Sequence, residues 1–490
     1  MTSRRQRNLS FAAALAAALS ACAVGPDFQT PAPPDVEGFT PEKIASPGNG
    51  QRFKEGAAIP ARWWTAFGST QLDALIQEAL DRNPTLEAAD AAIRVAQYNA
   101  DAAKGAFFPQ VVLNSNSSYQ LYSGDATTST VTQSAYSFFS KQVQISYAPD
   151  IWGANRRTVE SLEAQRELQG YQKQAAYLTL AANVAKAAIE EASLRAQIAA
   201  TRRIIELEQE RLTLLERQFA YGAVSGTDIL SQQSALAQAR QTLPDLEKRL
   251  AAQRNLLTAL AGRYPSQEVG ETFDLARIAL PHELPLSLPA QLVAQRPDIK
   301  AAEAGVHSAS AQVGVAVAAR LPNIVLTANG GTSAFQLAQL FTPGTGFYAL
   351  AGNIAQTAFD GMTLLNKQRA ADAGLEQAEA QYRAAVINAF QNVADTLRAL
   401  QADARAVKEA RVAEGAAKKY LDKIRLQSRF GGVSQLAVVD AQRTYLAASI
   451  ARVQAETQRI TDSVALFVAL GGGWETSPRL DHVDTSKRGL

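Results

Sequence analysis

One thiol and three imidazoles are the only metal-binding and nucleophile-pairing groups of that type in these 490 residues. Cys22, His282, His307 and His482 stand far apart, so no spacing supports a zinc site, a Cys/His nucleophile pair or a disulfide. There is no Gly-rich phosphate loop, no HExxH and no His near a candidate nucleophile, so the sequence predicts no enzyme, no catalytic residue, no cofactor and no bound metal. Met1 and Met362 are the only methionines, which leaves no material for a methionine relay carrying copper or silver. With 48 Lys and Arg against 46 Asp and Glu, the chain lacks the basic surplus that would hold a nucleic-acid backbone.

The one thiol follows Arg4, Arg5 and Arg7, which come with no acidic residue, and the apolar run Phe11 to Leu19. Residues 1–21 are expected to be an export signal, too short to span a membrane. Leu19-Ser20-Ala21-Cys22 resembles the bacterial lipobox, in which the cysteine becomes the acylated first residue of the mature chain; a buried free thiol is the alternative. In bacterial lipoproteins the next residue sorts between membranes, and Ala23, where Asp would favour inner-membrane retention, implies the outer membrane. Acyl chains contribute about 0.8 kcal/mol per buried CH₂, so a multiply acylated Cys22 is a firm anchor. Loss of the signal removes three arginines and no acid, taking the formal charge from +2 to −1. Residues 22–60, with Pro31, Pro33 and Pro34, are expected to be an extended lipidated tether rather than packed structure. No later stretch is apolar for 18 residues, so any membrane crossing falls to β-strands.

The elements that would position these groups come in two copies. Asn83-Pro84 opens an Ala-rich helical stretch ending at Phe107-Phe108-Pro109, and Arg296-Pro297 opens another ending at Arg320-Leu321-Pro322, offset by 213. Tyr221-Gly222-Ala223-Val224-Ser225 matches Phe430-Gly431-Gly432-Val433-Ser434 at an offset of 209. After each break runs a heptad stripe, Ile229, Leu236, Leu243, Leu250 and Leu257 against Val439, Leu446, Val453, Ile460 and Phe467, all pairs offset by 210. A strict heptad predicts long helices packed as coiled coils. From Ala154 to Gly222 the pattern runs about 68 residues, roughly 100 Å of helix. Two stripes there, Ala200, Leu207, Leu214 and Tyr221 beside Ile205, Leu212 and Phe219, suit a helix with neighbours on two sides, as in a closed barrel of helices. Shorter helices are expected at 82–106 and 226–262, whose lengths together match the long one, with a kink at Pro244.

Between the short and long helices, Val111 to Tyr122 and Tyr136 to Tyr147 alternate. Val111, Leu113, Tyr119 and Leu121 oppose Asn114, Asn116, Ser118 and Gln120; Phe139, Val143, Ile145 and Tyr147 oppose Ser140, Gln142, Gln144 and Ser146, and Lys141 interrupts the apolar face. Such strands fit a membrane β-barrel, and equally a soluble half-buried hairpin. In the second copy the repeat places strands near Ile324 to Gly331 and Phe347 to Phe359. Four strands cannot close a barrel, so membrane strands require oligomerisation, to 8 strands in a dimer or 12 in a trimer.

Taken in order, Cys22-Ala23-Val24-Gly25-Pro26-Asp27-Phe28, Trp63-Trp64 with Phe67, the turn Tyr221 to Ser225, Leu288-Pro289 with Arg296-Pro297-Asp298-Ile299, and Ala469-Leu470-Gly471-Gly472-Gly473-Trp474 resemble the TolC-type outer-membrane factors, in particular their OprM and NodT-like lipoprotein branch. The resemblance implies a mainly α protomer carrying part of a membrane β-barrel: a homotrimer whose 12-stranded barrel continues into a long α-helical barrel, with an equatorial mixed region. It implies a tripartite efflux conduit working with a periplasmic adaptor and an inner-membrane pump, commonly of the resistance-nodulation-division type. An outer-membrane component of type I protein secretion, or a structural coiled-coil envelope lipoprotein, is the alternative. The expected division is signal 1–21, tether 22–60, first repeat 61–264, equatorial linker 265–290, second repeat 291–473 and tail 474–490.

Carried onto the second turn, the family's periplasmic gate falls on Leu436 and Asp440. Three Asp440 around a narrow axis would repel one another or draw a cation. The alternative is an acid favoured by a helix N-terminus, and the same alternatives hold for Asp228, whose proposed role is a contact with a neighbouring hairpin. Some relatives carry a further aspartate where this chain has Ala437. Gly222, Ala223, Val224 and Ser225, with Gly431, Gly432, Val433 and Ser434, form the hairpin tips expected to dock the adaptor; helix-ending glycines are the simpler reading of the same turns.

Overall fold

The computed structural model describes residues 23–474 apart from 37, 43–44, 49 and 123–133. Cys22 with the expected signal, His482 with all but the first residue of the tail, and the 123–133 loop between the two alternating segments of the first copy lie outside the described residues.

After β1 (Arg52–Glu55) and a 3₁₀ turn at Trp63–Phe67 comes α1 (Thr70–Arg82). The Ser69 hydroxyl accepts from the Leu72 N–H at 3.2 Å and Asp73 lies in the first turn, both favourable at a helix N-terminus. Pro84, pre-set in φ and needing no donor there, opens α2 (Pro84–Lys104). Then follow β2 (Gln110–Tyr122), β3 (Ser134–Tyr147), α3 (Ala154–Ala220) and α4 (Gly226–Leu260). β4 (Glu283–Leu286) pairs parallel with β1. The second copy repeats the order: α5 (Pro289–Gln295), α6 (Pro297–Ala318), β5 (Asn323–Ala334), β6 (Gly346–Ala355), α7 (Thr363–Arg429) and α8 (Gln435–Ala469). α3 and α7 are each 67 residues and α4 and α8 each 35, so the helical hairpins of the two copies agree in length residue for residue.

The differences from expectation are local. β6 stops at Ala355 rather than Phe359, because its partner begins at Asn323, directly after Pro322, which has no N–H for a ladder. The helix expected at 226–262 is α4, which contains Pro244 and ends two residues early, at Leu260.

The chain divides into two compact units. The first, formed by 93–168 and 302–382 with the chain up to Pro31, holds an antiparallel sheet in the order β2-β3-β5-β6. Register sorts its side chains: Leu113 lies opposite Val143, Val143 opposite Gly330, and Gly330 opposite Tyr348, all on one face. That face is apolar yet exposed, with Leu113 at 79%, Leu350 at 79% and Ile354 at 69%. On the other face Asn114 Nδ2 donates to Gln144 Oε1 at 3.2 Å, and Gln142, Gln144 and Ser146 are half-buried. The weak alternation of β5 and β6 is explained by Gly330, Ala328, Ala349 and Ala351, small residues that carry little pattern but still fall into register.

The second unit, formed by 32–92 and 169–301 with the chain from Arg383, has its core at the 3₁₀ turn. Trp63, Trp64 and Phe67 are buried, and Trp63 stacks on Phe467 of α8 at 5.4 Å. Burial works to raise the Asp73 carboxyl, but hydrogen bonds from Arg62 and Trp64 outweigh it and hold the group below the usual range. All ten heptad positions of α4 and α8 are buried or half-buried. Glu191, fully buried on α3, accepts from Arg195, Arg254 and the Phe273 N–H, so its charge is compensated.

The tether departs from expectation. It is extended, but its side chains pin it: within the first unit through Asp27 and Phe28, and within the second through Phe39 on Phe390 (5.4 Å), Glu42 to Arg398 (2.7 Å) and Gln51 to Ser463 (3.0 Å). Proline content set its backbone, whereas single anchoring side chains set its packing.

Candidate functional site

Each helical hairpin turns on a glycine in the left-handed region, Gly222 at φ 69° and Gly431 at φ 74°. Its N–H and the next close the helix end: Gly222 donates to Phe219 O (2.8 Å) and Ala223 to Gln218 O (2.9 Å), while Gly431 donates to Ser428 O (3.0 Å) and Gly432 to Gln427 O (2.8 Å). Ala223 and Gly432 occupy the same place in the two copies, so only the first glycine of each turn is required. Tyr221 and Phe430, at the two tips, are 89% and 83% exposed. Val224 and Val433 are half-buried behind them.

Ser225 and Ser434 begin the returning helices. The Asp228 carboxylate accepts from the Ser225 hydroxyl (2.7 Å) and N–H (2.9 Å), bonds that hold it below the usual carboxylate range. Within its own chain Asp228 is therefore a cap. The Ser434 hydroxyl accepts from Ala437 N–H at 3.4 Å.

Leu436 and Asp440 both lie on α8, Leu436 half-buried one turn before the half-exposed acid. Asp440 does not stand as a bare carboxylate: Arg211 of α3 pairs with it. Three residues further along α8, Arg443 pairs in the opposite sense with Glu208 of α3 at 2.9 Å. Glu208, 2% exposed, also accepts from Gln232 of α4 at 2.6 Å. Two crossed ion pairs thus tie α8 to α3, one of them through a node shared with α4. Sequence reasoning missed Arg211, Glu208 and Arg443; their i, i+3 spacing on each helix was the available signal, but charge pairs of that kind are common on any solvated helix.

The tether's first residues form a second site, within the first unit. Val24 N–H donates to Trp152 O (3.1 Å), Arg157 binds Val24 O (3.2 Å) and the Asp27 carboxylate (2.6 Å), and Phe28 stacks on His307 at 4.4 Å. Gly25 lies so close that a Cβ there would stand 2.4 Å from Gly314 Cα. The Glu160 carboxyl is held below its usual range by His307 first and Arg157 next, against burial. This clamp fixes Ala23 beside Gly153, where β3 gives way to α3. Among the described residues no group of His, Cys, Asp and Glu could hold a metal ion, and no helix is long and apolar enough to cross a membrane.

The model of the outer membrane efflux protein family matches residues 75–263 and again 288–472, one match per copy. The chain is 31% identical to the pyoverdine export outer membrane protein OpmQ of Pseudomonas aeruginosa, across 94% of this chain and 96% of that one. It is 28% identical to the cation efflux system protein CusC of Escherichia coli, across 94% and 98%. The open state of the Neisseria gonorrhoeae MtrE outer membrane channel superposes with a TM-score of 0.80 at 25% identity, across 92% of this chain and 99% of that one.

Proposed function

The chain belongs to the outer membrane efflux protein family, and from that membership we propose that three copies close one conduit, gated at the hairpin tips. It is the outer-membrane channel component of an efflux system, located in the outer membrane and extending into the periplasm. Family members are trimeric channels rather than enzymes, and they work in tripartite systems with an adaptor and an inner-membrane pump.

One observation carries the assembly of several copies, and family membership makes their number three. The sheet exposes its apolar face, turns a polar face the other way, and leaves β2 and β6 as open edges. Open edges and an exposed apolar face are untenable together in lipid, and closing them on further copies resolves both. Three protomers give about 12 strands, within the range of membrane barrels. The tips, with Gly222 to Ser225 and Gly431 to Ser434 carrying exposed Tyr221 and Phe430, dock a periplasmic adaptor; a proton-driven pump of the resistance-nodulation-division type supplies the cargo. Leu436 and Asp440 narrow the aperture, and Asp228, besides capping its helix, meets the neighbouring hairpin. Cys22 carries the lipid, and the Arg157 clamp holds the following residues at the strand–helix junction. The chain performs no bond chemistry: relatives named for a siderophore and for cations share its framework, so the upstream pump sets the substrate.

Native mass spectrometry of the purified full chain, with conductance after reconstitution in planar bilayers, tests this. A three-protomer mass and a conducting pore are expected; a two-protomer mass or no conductance defeats it.

A further inference from the structure

Among the described residues, the four strands carry one charged side chain, Lys141, and it stands on the exposed apolar face. No carboxylate lies in those strands, nor in the 335–345 connection between β5 and β6. A lysine facing lipid is costly at the bilayer midplane and nearly free at the interface. Lys141 pairs with Thr332, two residues before β5 ends, at the end of the β5–β6 ladder remote from the helices; beyond that row the β2–β3 hairpin continues for seven more pairs, so Lys141 stands at the rim of the four-stranded part of the sheet.

Its surroundings are built for an anion. Ser115 lies directly across the ladder on β2 and Thr332 on β5, so this row is polar where the row beneath it holds Leu113 and Val143. Thr332 Oγ1 is buried with no hydrogen-bond partner among the described residues. Phe341, from the β5–β6 connection, lies with its ring 5.8 Å from Lys141 Nζ, and these residues line a hollow of about 390 Å³. A ring and two hydroxyls orient an ammonium without neutralising it.

We propose that Lys141, with the Thr332 and Ser115 hydroxyls and the Phe341 ring, binds the phosphate of an anionic lipid head group in the outward-facing leaflet. Ammonium and hydroxyl donors match phosphate oxygens, and the apolar face below them takes the acyl chains. The proposal rests on the sheet lying in the outer membrane.

The full chain, wild type and Lys141→Met, is reconstituted into bilayers of phosphatidylethanolamine with lipid A, re-extracted in mild detergent, and its co-purifying lipid A measured by mass spectrometry. Loss of one lysine near a charged lipid surface predicts about five-fold less retained lipid A for the variant. Lys141→Arg is expected to retain it, and phosphatidylcholine to show no difference between variants. Equal retention of lipid A by wild type and Lys141→Met overturns the proposal, as does full displacement by inorganic phosphate, which would mark a free-anion site. If Lys141→Met fails to assemble, Thr332→Val and Phe341→Leu carry the same comparison. Wild-type protein that does not insert at all refutes the membrane placement instead, so the two failures are distinguishable.

Discussion

Removing the Arg211–Asp440 pair is expected to open the channel. The two side chains are 24% and 50% exposed, so one pair contributes about 0.5–1 kcal/mol after solvent screening. Three such pairs acting on one aperture, opened in a single step, hold roughly 1.5–3 kcal/mol against opening. Asp440→Ala and Arg211→Ala should each raise the open-to-closed ratio by about 10- to 150-fold. Because both remove the same interaction, the double variant should open little further than either single one. Exchanging the charges, Arg211→Asp with Asp440→Arg, should restore closure. Single-channel recording in planar bilayers measures the open fraction directly, and semi-native gels confirm that assembly is intact. If Asp440→Ala conducts no better than wild type, the gate assignment fails. If Asp440→Ala opens the channel while Arg211→Ala does not, the carboxylate acts as a luminal ring and the ion-pair account is wrong.

Phe467→Ala, deleting the ring under Trp63, should cost about 3–5 kcal/mol and lower the midpoint of thermal unfolding followed by circular dichroism. Leu113→Arg, on the exposed apolar face, should cost about 2–4 kcal/mol if that row lies deep in lipid and reduce assembled trimer on semi-native gels, whereas Asn114→Ser on the opposite face should not. Burial, then the neighbouring Asp462, pushes Asp403 up to about 7, so the folded chain holds a proton that the unfolded chain releases from about pH 4. Stability is therefore lost as pH rises between those values, and Asp403→Asn should recover it at pH 8 but not at pH 4. Because Asp403 is half exposed, the gain is about 1–2 kcal/mol at most, read from denaturant midpoints at the two pH values. Gly25→Val should free the first residues of the tether by clashing with Gly314, which limited proteolysis would show as faster cleavage before Phe28.

The sequence by itself determined the architecture, because duplication and periodicity repeat one physical constraint many times. Five heptad positions, one proline-opened helix and one glycine turn had each to be satisfied twice, and the paired 67- and 35-residue helices follow from them. The sheet's two faces were legible in β2 and β3, where every second residue votes for a face. They were not legible in β5 and β6, whose glycines and alanines fit either face and are placed only by the pairing of β5 with β3 and of β6 with β5. Lys141 looked like a fault in the alternation; its meaning depends on Thr332 and Phe341, which join it from a strand and a connection about 200 positions away. The same holds for Asp440. Local sequence placed it one helical turn past Leu436, but its partner Arg211 lies 229 residues earlier, and only helix packing decides whether a carboxylate is bare or paired. Periodic patterns survive in one dimension because they are redundant, whereas a single charge takes its meaning from whichever neighbour the fold brings to it.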